Sequence, residues 1–284
     1  MKLSMETYVL RERFDDFCAI GMIRDAGFDA LDYSFYWGRG SKDVLGDDYR
    51  ERAAALRAAL DAANITCNQT HAPIEMQPDD TFDEENPHFL RLVRSLEASA
   101  ILGAEHVIVH RAPAPDGIDV LAHNRVFYRS LAPYCKKFGI RVAVENLFSV
   151  NGGVYTGIFA KPEILENYVR ELGTDCFTAC VDLGHASITG TEPQDFIAGM
   201  SGEILGALHV HDNDYASDCH WLPYSGSIQW KAVTDALAKI VYRGDLTLEV
   251  FGSLKKLPNA LIPDALAYAA KIGRQLISQI EAAK

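Results

Sequence analysis

The chain has 284 residues, of which 48% are hydrophobic and 23% charged, and its formal net charge is −12. This is an ordinary globular composition with enough apolar residues for a sizeable core. The acidic balance argues against a surface that coats nucleic acid, because such a surface needs a basic face.

β-Branched runs alternate with Ala- and Leu-rich amphipathic stretches along the whole chain, which predicts eight strand–helix units. The predicted strands are Lys2–Met5, Ala30–Tyr33, Ile65–Asn68, His106–His110, Ile140–Glu145, Phe177–Asp182, Ile204–His211 and Leu246–Val250. The predicted helices are Phe14–Ala26, Asp47–Ala63, Pro87–Leu102, Val120–Phe138, Pro162–Leu172, Pro193–Met200, Ile228–Val241 and Pro263–Ala283.

Eight such units in 284 residues are the pattern of a (β/α)8 TIM barrel. The main alternative, a doubly wound open sheet, usually has a glycine-rich phosphate loop after its first strand, and M-E-T-Y-V-L-R-E contains no glycine. No linker or low-complexity segment interrupts the chain. We therefore predict an α/β protein whose single TIM-barrel domain spans residues 1–284.

Targeting and redox features favour a cytoplasmic protein. The N-terminal M-K-L-S-M-E-T lacks the apolar segment of a signal peptide, and no run approaches the length of a membrane span. The six cysteines are scattered without a C-x-x-C pair, which is typical of reduced thiols that pack as small hydrophobes. We expect a cytoplasmic location and no membrane partner.

Polar side chains follow the C-terminal ends of the predicted strands, the face that bears active sites in this fold. They are His71, His110, Glu145, Asp182, His185, His209, His211 and Glu249. Each alone is more often a surface loop residue or a helix cap, so their shared position is the informative feature. Glu145 and Glu249 stand in apolar segments, where a buried carboxylate needs a counter-charge.

A divalent cation would supply that counter-charge. Two Glu, one Asp and one His form an oxygen-dominated set, which favours Mn²⁺ and is also compatible with Mg²⁺, Co²⁺ or Zn²⁺. Such an ion polarises a carbonyl while a carboxylate takes the proton from the adjacent carbon. The alternative is a polar layer satisfied by internal hydrogen bonds, but it would leave two buried glutamates without a counter-charge.

Five segments together resemble the xylose-isomerase-like TIM barrels: V-E-N-L-F, V-D-L-G-H-A, H-V-H-D-N-D, H-W-L-P-Y-S-G-S-I-Q-W and L-E-V-F. The superfamily includes sugar-phosphate isomerases and epimerases, ketose 3-epimerases, hydroxypyruvate isomerase and inosose dehydratase. The resemblance implies one divalent metal ion held by Glu145, Asp182, His211 and Glu249. It further implies that the two glutamates are the catalytic acid/base pair and that His185 contacts the substrate.

The two histidines of H-V-H are not separated by strand alternation, which points both to one face. The family pattern, a ligand followed three residues later by Asp, favours His211 as the metal ligand and leaves His209 as a support residue. The expected substrate-binding residues, His185 included, are His71, His110, His185, Asp214 and His220.

A second relative, endonuclease IV, shares this barrel and holds three zinc ions with nine ligands. Residues of those types occur here in order: His71, His110, Glu145, Asp182, His185, His211, Asp218, His220 and Glu249. The net charge and the lack of a basic residue between His211 and Asp218 argue against DNA. The aromatic segment D-Y-S-F-Y-W-G-R-G suits a cover over a small sugar instead.

Two departures bear on the substrate. The turn P-Y-S-G-S-I-Q-W lacks the first glycine of the family's P-G-x-G, and D-N-D-Y-A follows His211 where ketose 3-epimerases have a substrate-binding arginine. A ketose 3-epimerase is therefore less favoured than another isomerase or a lyase. Arg39 and Arg111 are the only basic residues near the strand ends, which favours a substrate without phosphate.

The sequence thus predicts a divalent-metal-dependent isomerase or epimerase of a sugar, sugar phosphate or related polyol, acting by proton abstraction next to a carbonyl. The alternatives are a dehydratase or lyase of the same superfamily, an endonuclease-IV-like multi-zinc phosphodiesterase, and a non-catalytic barrel. The expected partner is a small carbohydrate and not nucleic acid. The oligomeric state stays open, with a homo-oligomer among the options.

Overall fold

A computed structural model describes residues 1–36 and 43–284. Within these residues eight parallel strands form a barrel: β1 (Leu3–Glu6), β2 (Ala30–Ser34), β3 (Thr66–His71), β4 (His106–Val109), β5 (Arg141–Glu145), β8 (Phe177–Asp182), β9 (Leu205–His209) and β10 (Leu246–Leu248). The short strands β6 (Ser149–Asn151) and β7 (Val154–Thr156) pair as an antiparallel hairpin beyond β5. The predicted fold class, a (β/α)8 TIM barrel, is confirmed.

The barrel is closed by a short seam. The hydrogen-bonded order is β10-β1-β2-β3-β4-β5-β8-β9. Between β9 and β10 there is a parallel bridge of Val210 with Leu248. The Val210 N–H donates to Thr247 O at 2.9 Å, and the Glu249 N–H donates to Val210 O at 3.2 Å. The seam is short because β10 spans only three residues.

The helices surround the barrel: α1 (Tyr8–Arg13), α2 (Asp16–Ala26), α3 (Tyr49–Ala63), α4 (Pro87–Leu102), α5 (Val120–Phe138), α6 (Pro162–Leu172), α7 (Leu183–Ile188), α8 (Pro193–Ala198), α9 (Trp230–Lys239), α10 (Phe251–Leu254) and α11 (Ile262–Ala282). A 3-10 turn, Asn259–Leu261, precedes α11. None of the helices in the described part of the chain is long and apolar enough to cross a membrane.

Helix ends follow the local capping chemistry. The Asn86 side chain accepts hydrogen bonds from the N–H groups of His88 and Phe89 at the start of α4, and Gly103 ends that helix with φ 85°. Because glycine adopts this left-handed conformation without a Cβ penalty, the predicted bounds of α4 match the observed ones. The helix predicted from Phe14 begins at Asp16 instead, because Asp15 caps it.

Small side chains fill the barrel interior beneath the C-terminal ends of the strands. Ile108, Ala143, Cys180 and Ala207 form a buried inner cluster there. The larger apolar side chains lie between the strands and the helices, where their burial stabilises the fold. Because three of the four inner residues are small, the polar side chains one layer above can point inward over them.

Candidate metal and substrate site

A cavity of about 260 Å³ opens at the C-terminal ends of the barrel strands. Its polar lining consists of Glu6, Ser34, His71, His110, Glu145, His185, Asp218, His220 and Glu249. Aromatic rings form part of its wall: the Tyr8 ring centroid lies 5.1 Å from that of Tyr36 and 5.9 Å from that of Phe251. Tyr36 belongs to the aromatic segment expected to cover the site, whereas Trp37 and Arg39 lie outside the described residues.

Glu145 lies at the end of β5 and is 2% exposed. His110 Nε2 lies 3.0 Å from its Oε2, while His185 Nδ1 and His209 Nδ1 lie 3.2 and 3.3 Å from its Oε1. Burial opposes ionisation, but the three neighbouring histidines, His110 above all, outweigh it and hold the pKa of Glu145 well below its ordinary value. Glu145 is therefore ionised at the centre of the cluster.

Asp182 ends β8 and caps α7, because its Oδ1 accepts the backbone N–H of His185 at 2.7 Å. The Asn146 side chain binds the Asp182 backbone in both directions, at 2.7 and 2.9 Å. This sharp strand-to-helix turn directs the His185 ring back over the barrel. Burial opposes protonation of that ring, but Asp182, Asp218 and Glu145 outweigh it and hold the pKa of His185 well above its ordinary value.

His209 is fully buried at the end of β9, paired in register with Asp182. Its Nδ1 lies 3.3 Å from Glu145 Oε1, 3.4 Å from Glu249 Oε2 and 3.9 Å from Asp182 Oδ2. Its Nε2 faces Asp32 Oδ2 at 3.7 Å. Of the two histidines in H-V-H, it is His209 whose ring nitrogen is surrounded by three carboxylates.

His211 takes a different position. Its Nε2 lies 2.9 and 3.0 Å from the two oxygens of Asp182, and its ring stacks on His220 with centroids 3.8 Å apart. The ring lies directly against Gly184, where a Cβ atom would collide with it. The glycine of D-L-G-H-A is thus required by the packing of His211.

Glu249 follows β10 and faces His209 and His220. His220 Nδ1 lies 3.0 Å from the Glu249 carbonyl oxygen, and His220 Nε2 lies 3.1 Å from Asp218 Oδ1. Burial raises the pKa of Glu249 well above its ordinary value; His209 opposes the shift, and Asp182 is the largest of the carboxylates that add to it. Burial, together with His211, lowers the pKa of His220 to about 4.

Two residues considered at the sequence level lie apart from the cavity. Asp214 is exposed, and its Oδ1 accepts the backbone N–H groups of Ala216 and Ser217, so it caps a turn and is not brought to the predicted substrate site. Asp212, two residues earlier, is buried and accepts Trp230 Nε1–H at 2.9 Å. Arg111 lines a neighbouring cavity and donates to Phe148 O at 3.1 Å.

Two buried carboxylates of the site region were not predicted. Glu6 ends β1 and lines the cavity, while Asp32 lies beside it in β2 and faces His71 Nδ1 and His209 Nε2, each at 3.7 Å. The strand-end rule that selected Glu145 and Glu249 also applies to the first strand, which ends in L-S-M-E. That signal was present in the sequence.

The contacts among the buried histidines and carboxylates are those expected around a bound cation. Four buried atoms among the described residues lack a hydrogen-bond partner, although an imidazole nitrogen or a carboxylate oxygen lies 3.0 to 3.7 Å from each: Glu145 Oε2, His185 Nδ1, His209 Nε2 and Asp218 Oδ1. Close donors and acceptors that lack hydrogen-bond geometry are expected where the lone pairs converge on a common ion. Carboxylates and neutral imidazoles are also the donors that Mn²⁺ and Zn²⁺ take.

Several overlapping groups of side chains place one ligand atom each within 4.8 Å of one another. They include Glu145 with Asp182 and His185, His211 with His220 and Glu249, His71 with His110 and Glu145, and His185 with Asp218 and His220. The donor set is therefore richer in histidine than the four-ligand prediction.

Comparison with known proteins supports the same architecture. A family model described as xylose isomerase-like TIM barrel matches residues 20–272. A curated relative, uncharacterized protein y4fM of Sinorhizobium fredii (strain NBRC 101917 / NGR234), is 25% identical over 257 residues, covering 81% of this chain and 79% of the relative.

Solved structures share the fold, and some of them are named as sugar epimerases. A D-tagatose 3-epimerase-like protein superposes with a TM-score of 0.76 at 20% identity, covering 99% of both chains. The IOLI protein with a bound zinc atom gives 0.76 at 16% identity over 99% of both chains. The 3-keto-D-glucoside 4-epimerase YcjR from E. coli gives 0.70 at 18% identity, covering 95% of this chain and 99% of that one.

Proposed function

This chain belongs to the xylose isomerase-like TIM barrel family, and from that membership we propose that it is a divalent-metal-dependent isomerase or epimerase of a sugar, sugar phosphate or related polyol. The observation that carries the proposal is the convergence of Glu145, Asp182, His209 and Glu249 below a cavity of about 260 Å³, a volume that suits a small sugar. Names of structural neighbours support the substrate class.

We propose Glu145, Asp182, Glu249 and His209 as the ligands of one divalent ion. Two ligand atoms about 2.1 Å from one ion at a tetrahedral angle lie about 3.4 Å apart. His209 Nδ1 meets this spacing with Glu145 at 3.3 Å and with Glu249 at 3.4 Å. His211 Nε2 is close to Asp182, and a ring nitrogen of His211 lies within 4.8 Å of a Glu249 oxygen, so the ligand predicted from the sequence is the alternative.

Metal analysis of two alanine variants separates these histidines. We expect His209→Ala to lose the tightly bound ion and His211→Ala to keep it after dialysis against buffer without metal. The measurement is the metal-to-protein ratio by plasma mass spectrometry, with thermal unfolding as a check on folding. The reverse result would return the ligand role to His211.

Glu145 and Glu249 have complementary roles in proton transfer. Glu145 on β5 and Glu249 after β10 approach the centre from strands that are separated by β8 and β9, so they flank a substrate bound between them. One removes the proton next to the substrate carbonyl, and the other returns it to the opposite face or to the neighbouring carbon. When bound, a divalent cation would polarise the carbonyl and so acidify that C–H bond.

The histidines around the cavity hold the substrate oxygens. His71, His110, His185 and His220 line the cavity together with the two glutamates. Their ring nitrogens offer donors to hydroxyl groups, while Phe148 and Phe251 cover apolar faces and exclude water from the reacting carbon. This division suits a polyhydroxylated ring or chain.

Solvent-deuterium exchange tests the proposal. The metal-loaded protein is incubated in D₂O with a panel of ketoses, aldoses and inososes, and incorporation next to a carbonyl identifies the carbon attacked. We expect Glu145→Gln to lower exchange by about 10²- to 10⁴-fold, the usual range for a general base. Glu105→Gln, an exposed change at the opposite end of the barrel, is the matched control. Unaltered exchange by Glu145→Gln would refute the assignment.

A second candidate, a multi-zinc phosphodiesterase, is favoured by one specific observation. The groups His71–His110–Glu145 and His185–Asp218–His220 lie beside the proposed ion, so the cavity has donors for further metal ions. The net charge of −12 argues against a DNA partner. About one ion per chain with deuterium exchange supports the isomerase, whereas about three zinc ions with phosphodiester hydrolysis supports this alternative.

A dehydratase or lyase could use the same metal and base. In that case proton abstraction is followed by loss of a leaving group from the next carbon. Mass spectrometry of the products of the exchange screen separates the outcomes, because an isomerase conserves substrate mass and a dehydratase releases water.

A further inference from the structure

Glu6 has no role in the proposed metal set, yet it lies in the same cavity. It ends β1 beside Asp32 of β2, is 2% exposed and lines the cavity wall. In the barrel order β1 is four strands from β5 in either direction. Glu6 therefore lies across the barrel mouth from Glu145, on the side that a substrate bound at Glu145 would extend toward.

The two oxygens of Glu6 differ in their contacts. Oε1 accepts the backbone N–H of Tyr8 at 2.6 Å, which fixes the orientation of the carboxyl group. Oε2 is buried and has no hydrogen-bond partner among the described residues. A buried carboxyl oxygen without a partner costs about 1 to 3 kcal/mol, so its retention beside a cavity calls for a ligand group.

Burial and the neighbouring charges favour the protonated form of the Glu6 carboxyl group. Burial raises the pKa of Glu6 to about 8, with the Asp32 carboxylate adding to the shift and the Tyr8 N–H, His209 and Ser34 opposing it. The unpartnered oxygen of a carboxyl group accepts a hydrogen bond, and in the protonated form the group also donates one. A hydroxyl group of a polyol is the complementary partner, because it does both as well.

We propose that Glu6 is a substrate-binding residue whose Oε2 forms a hydrogen bond with a hydroxyl group of the polyol, at the end of the molecule remote from Glu145. This inference rests on the proposed function for the substrate class alone, and it does not depend on which histidine binds the metal. It adds a specificity contact from β1 to a site whose proposed metal ligands come from β5, β8, β9 and the residue after β10.

Calorimetric titration of the metal-loaded protein with three non-reacting polyols, xylitol, D-sorbitol and myo-inositol, tests the contact without requiring turnover. We expect Glu6→Leu to weaken binding of the best of them by about 10-fold or more, because the hydroxyl group loses its partner in a buried site. Glu6→Gln keeps a donor, an acceptor and the Tyr8 contact, so it should stay within about 3-fold of wild type. Glu51→Leu, an exposed change on α3, is the control.

Metal content and thermal unfolding are measured on the same samples. Weak polyol binding by Glu6→Leu with full metal content, together with binding by Glu6→Gln near wild type, supports the contact. Three results would each overturn it. Wild type and Glu6→Leu could bind polyol with equal affinity, both Glu6 variants could weaken polyol binding equally, or the wild type could bind no polyol. Failure of the proposed catalysis is seen separately, as absence of deuterium exchange by a wild-type protein that still binds polyol.

Discussion

The two ends of the barrel differ in how their buried polar groups are paired. Toward the N-terminal end, Ser4 Oγ donates to Asn68 Oδ1 at 2.7 Å, Asn68 Nδ2 donates to Thr247 Oγ1 at 3.2 Å, and Thr178 Oγ1 donates to Ile204 O at 2.7 Å. These groups are neutral and bonded to one another. At the C-terminal end, several ionisable groups lie within 4 Å of one another without hydrogen-bond geometry, among them His185 with Glu145 and His209 with Asp32. Except for His106 Nδ1, which is buried without a hydrogen-bond partner in the described part of the chain, the N-terminal groups named here are satisfied within the protein, whereas the C-terminal end is arranged for a ligand.

Substitution of Glu249 gives the strongest test of this difference between the two ends of the barrel. We expect Glu249→Gln to lower deuterium exchange by about 10²- to 10⁴-fold, because one of the two proton-transfer groups is lost. The midpoint of urea unfolding of the metal-free protein should stay the same or rise, since a neutral amide replaces a buried carboxyl group whose ionisation burial, Asp182 and Glu145 oppose. A large fall in that midpoint would show that Glu249 serves the fold instead.

Metal binding at the C-terminal end should stabilise the folded protein. At a free Mn²⁺ concentration about 1,000 times the dissociation constant, we expect a gain of about 4 kcal/mol in the free energy of unfolding. The measurement compares urea unfolding in Mn²⁺ with unfolding in a chelator, for wild type and for Glu249→Gln. Equal unfolding curves of the wild type in both buffers would contradict a metal site.

Asn68 tests the opposite end. Asn68→Ala removes both the partner of Ser4 and the partner of Thr247, so we expect a loss of about 1 to 3 kcal/mol in the free energy of unfolding. Metal content and deuterium exchange should match the wild type, because Asn68 lies at the start of β3, remote from the cavity. If Asn68→Ala kept the stability of the wild type but lost deuterium exchange, the assignment of structural and functional roles to opposite ends of the barrel would be wrong.

His106 gives the smallest effect, and it depends on pH. The ring is buried at the start of β4, and burial, together with the charge of Arg141, lowers its pKa to about 3. The folded-state pKa is below the unfolded value of about 6.5, so stability is present above pH 6.5 and is lost as the pH falls toward 3. Relative to His106→Gln, the wild type should lose about 1 kcal/mol between pH 7.5 and 5.5.

Urea unfolding at the two pH values, for both proteins, measures that difference. A stability difference between wild type and His106→Gln that is the same at both pH values would show that the ring titrates normally. The result would then place a protonated histidine in the N-terminal end, where the other buried polar groups described above are neutral.

The local chemistry of helix ends explains what could be read from the sequence. The bounds of α4, α5 and α6 were predicted correctly because Pro87, Asp119 and Pro162 mark their starts and glycines mark their ends. The β6–β7 hairpin and the short helices α1, α7 and α10 were missed. Their segments are too short for a periodic pattern, and their form is set by packing around the barrel mouth.

The candidate site shows where strand periodicity stops being informative. Alternation puts His209 and His211 on one face, but β9 ends at His209, and the chain then bends so that His211 meets Asp182 and His220. The depth at which each ring enters the barrel depends on that end point, which the sequence pattern does not encode. Glu6 was missed for another reason, since the candidate residues were taken only from the third to the eighth strand and the first strand was predicted to end at Met5.

The short seam between β9 and β10 gives the proposed ion a second consequence. His209 belongs to one side of the seam and Glu249 to the other, so an ion that binds both would link the two ends of the strand order across the gap. Local opening of the barrel would then require release of the ion. The N–H groups of Val210 and Glu249 form the seam, so their amide hydrogen exchange would slow when the metal binds. Slow exchange at these two residues would therefore show both that the ion is bound and that the barrel is closed.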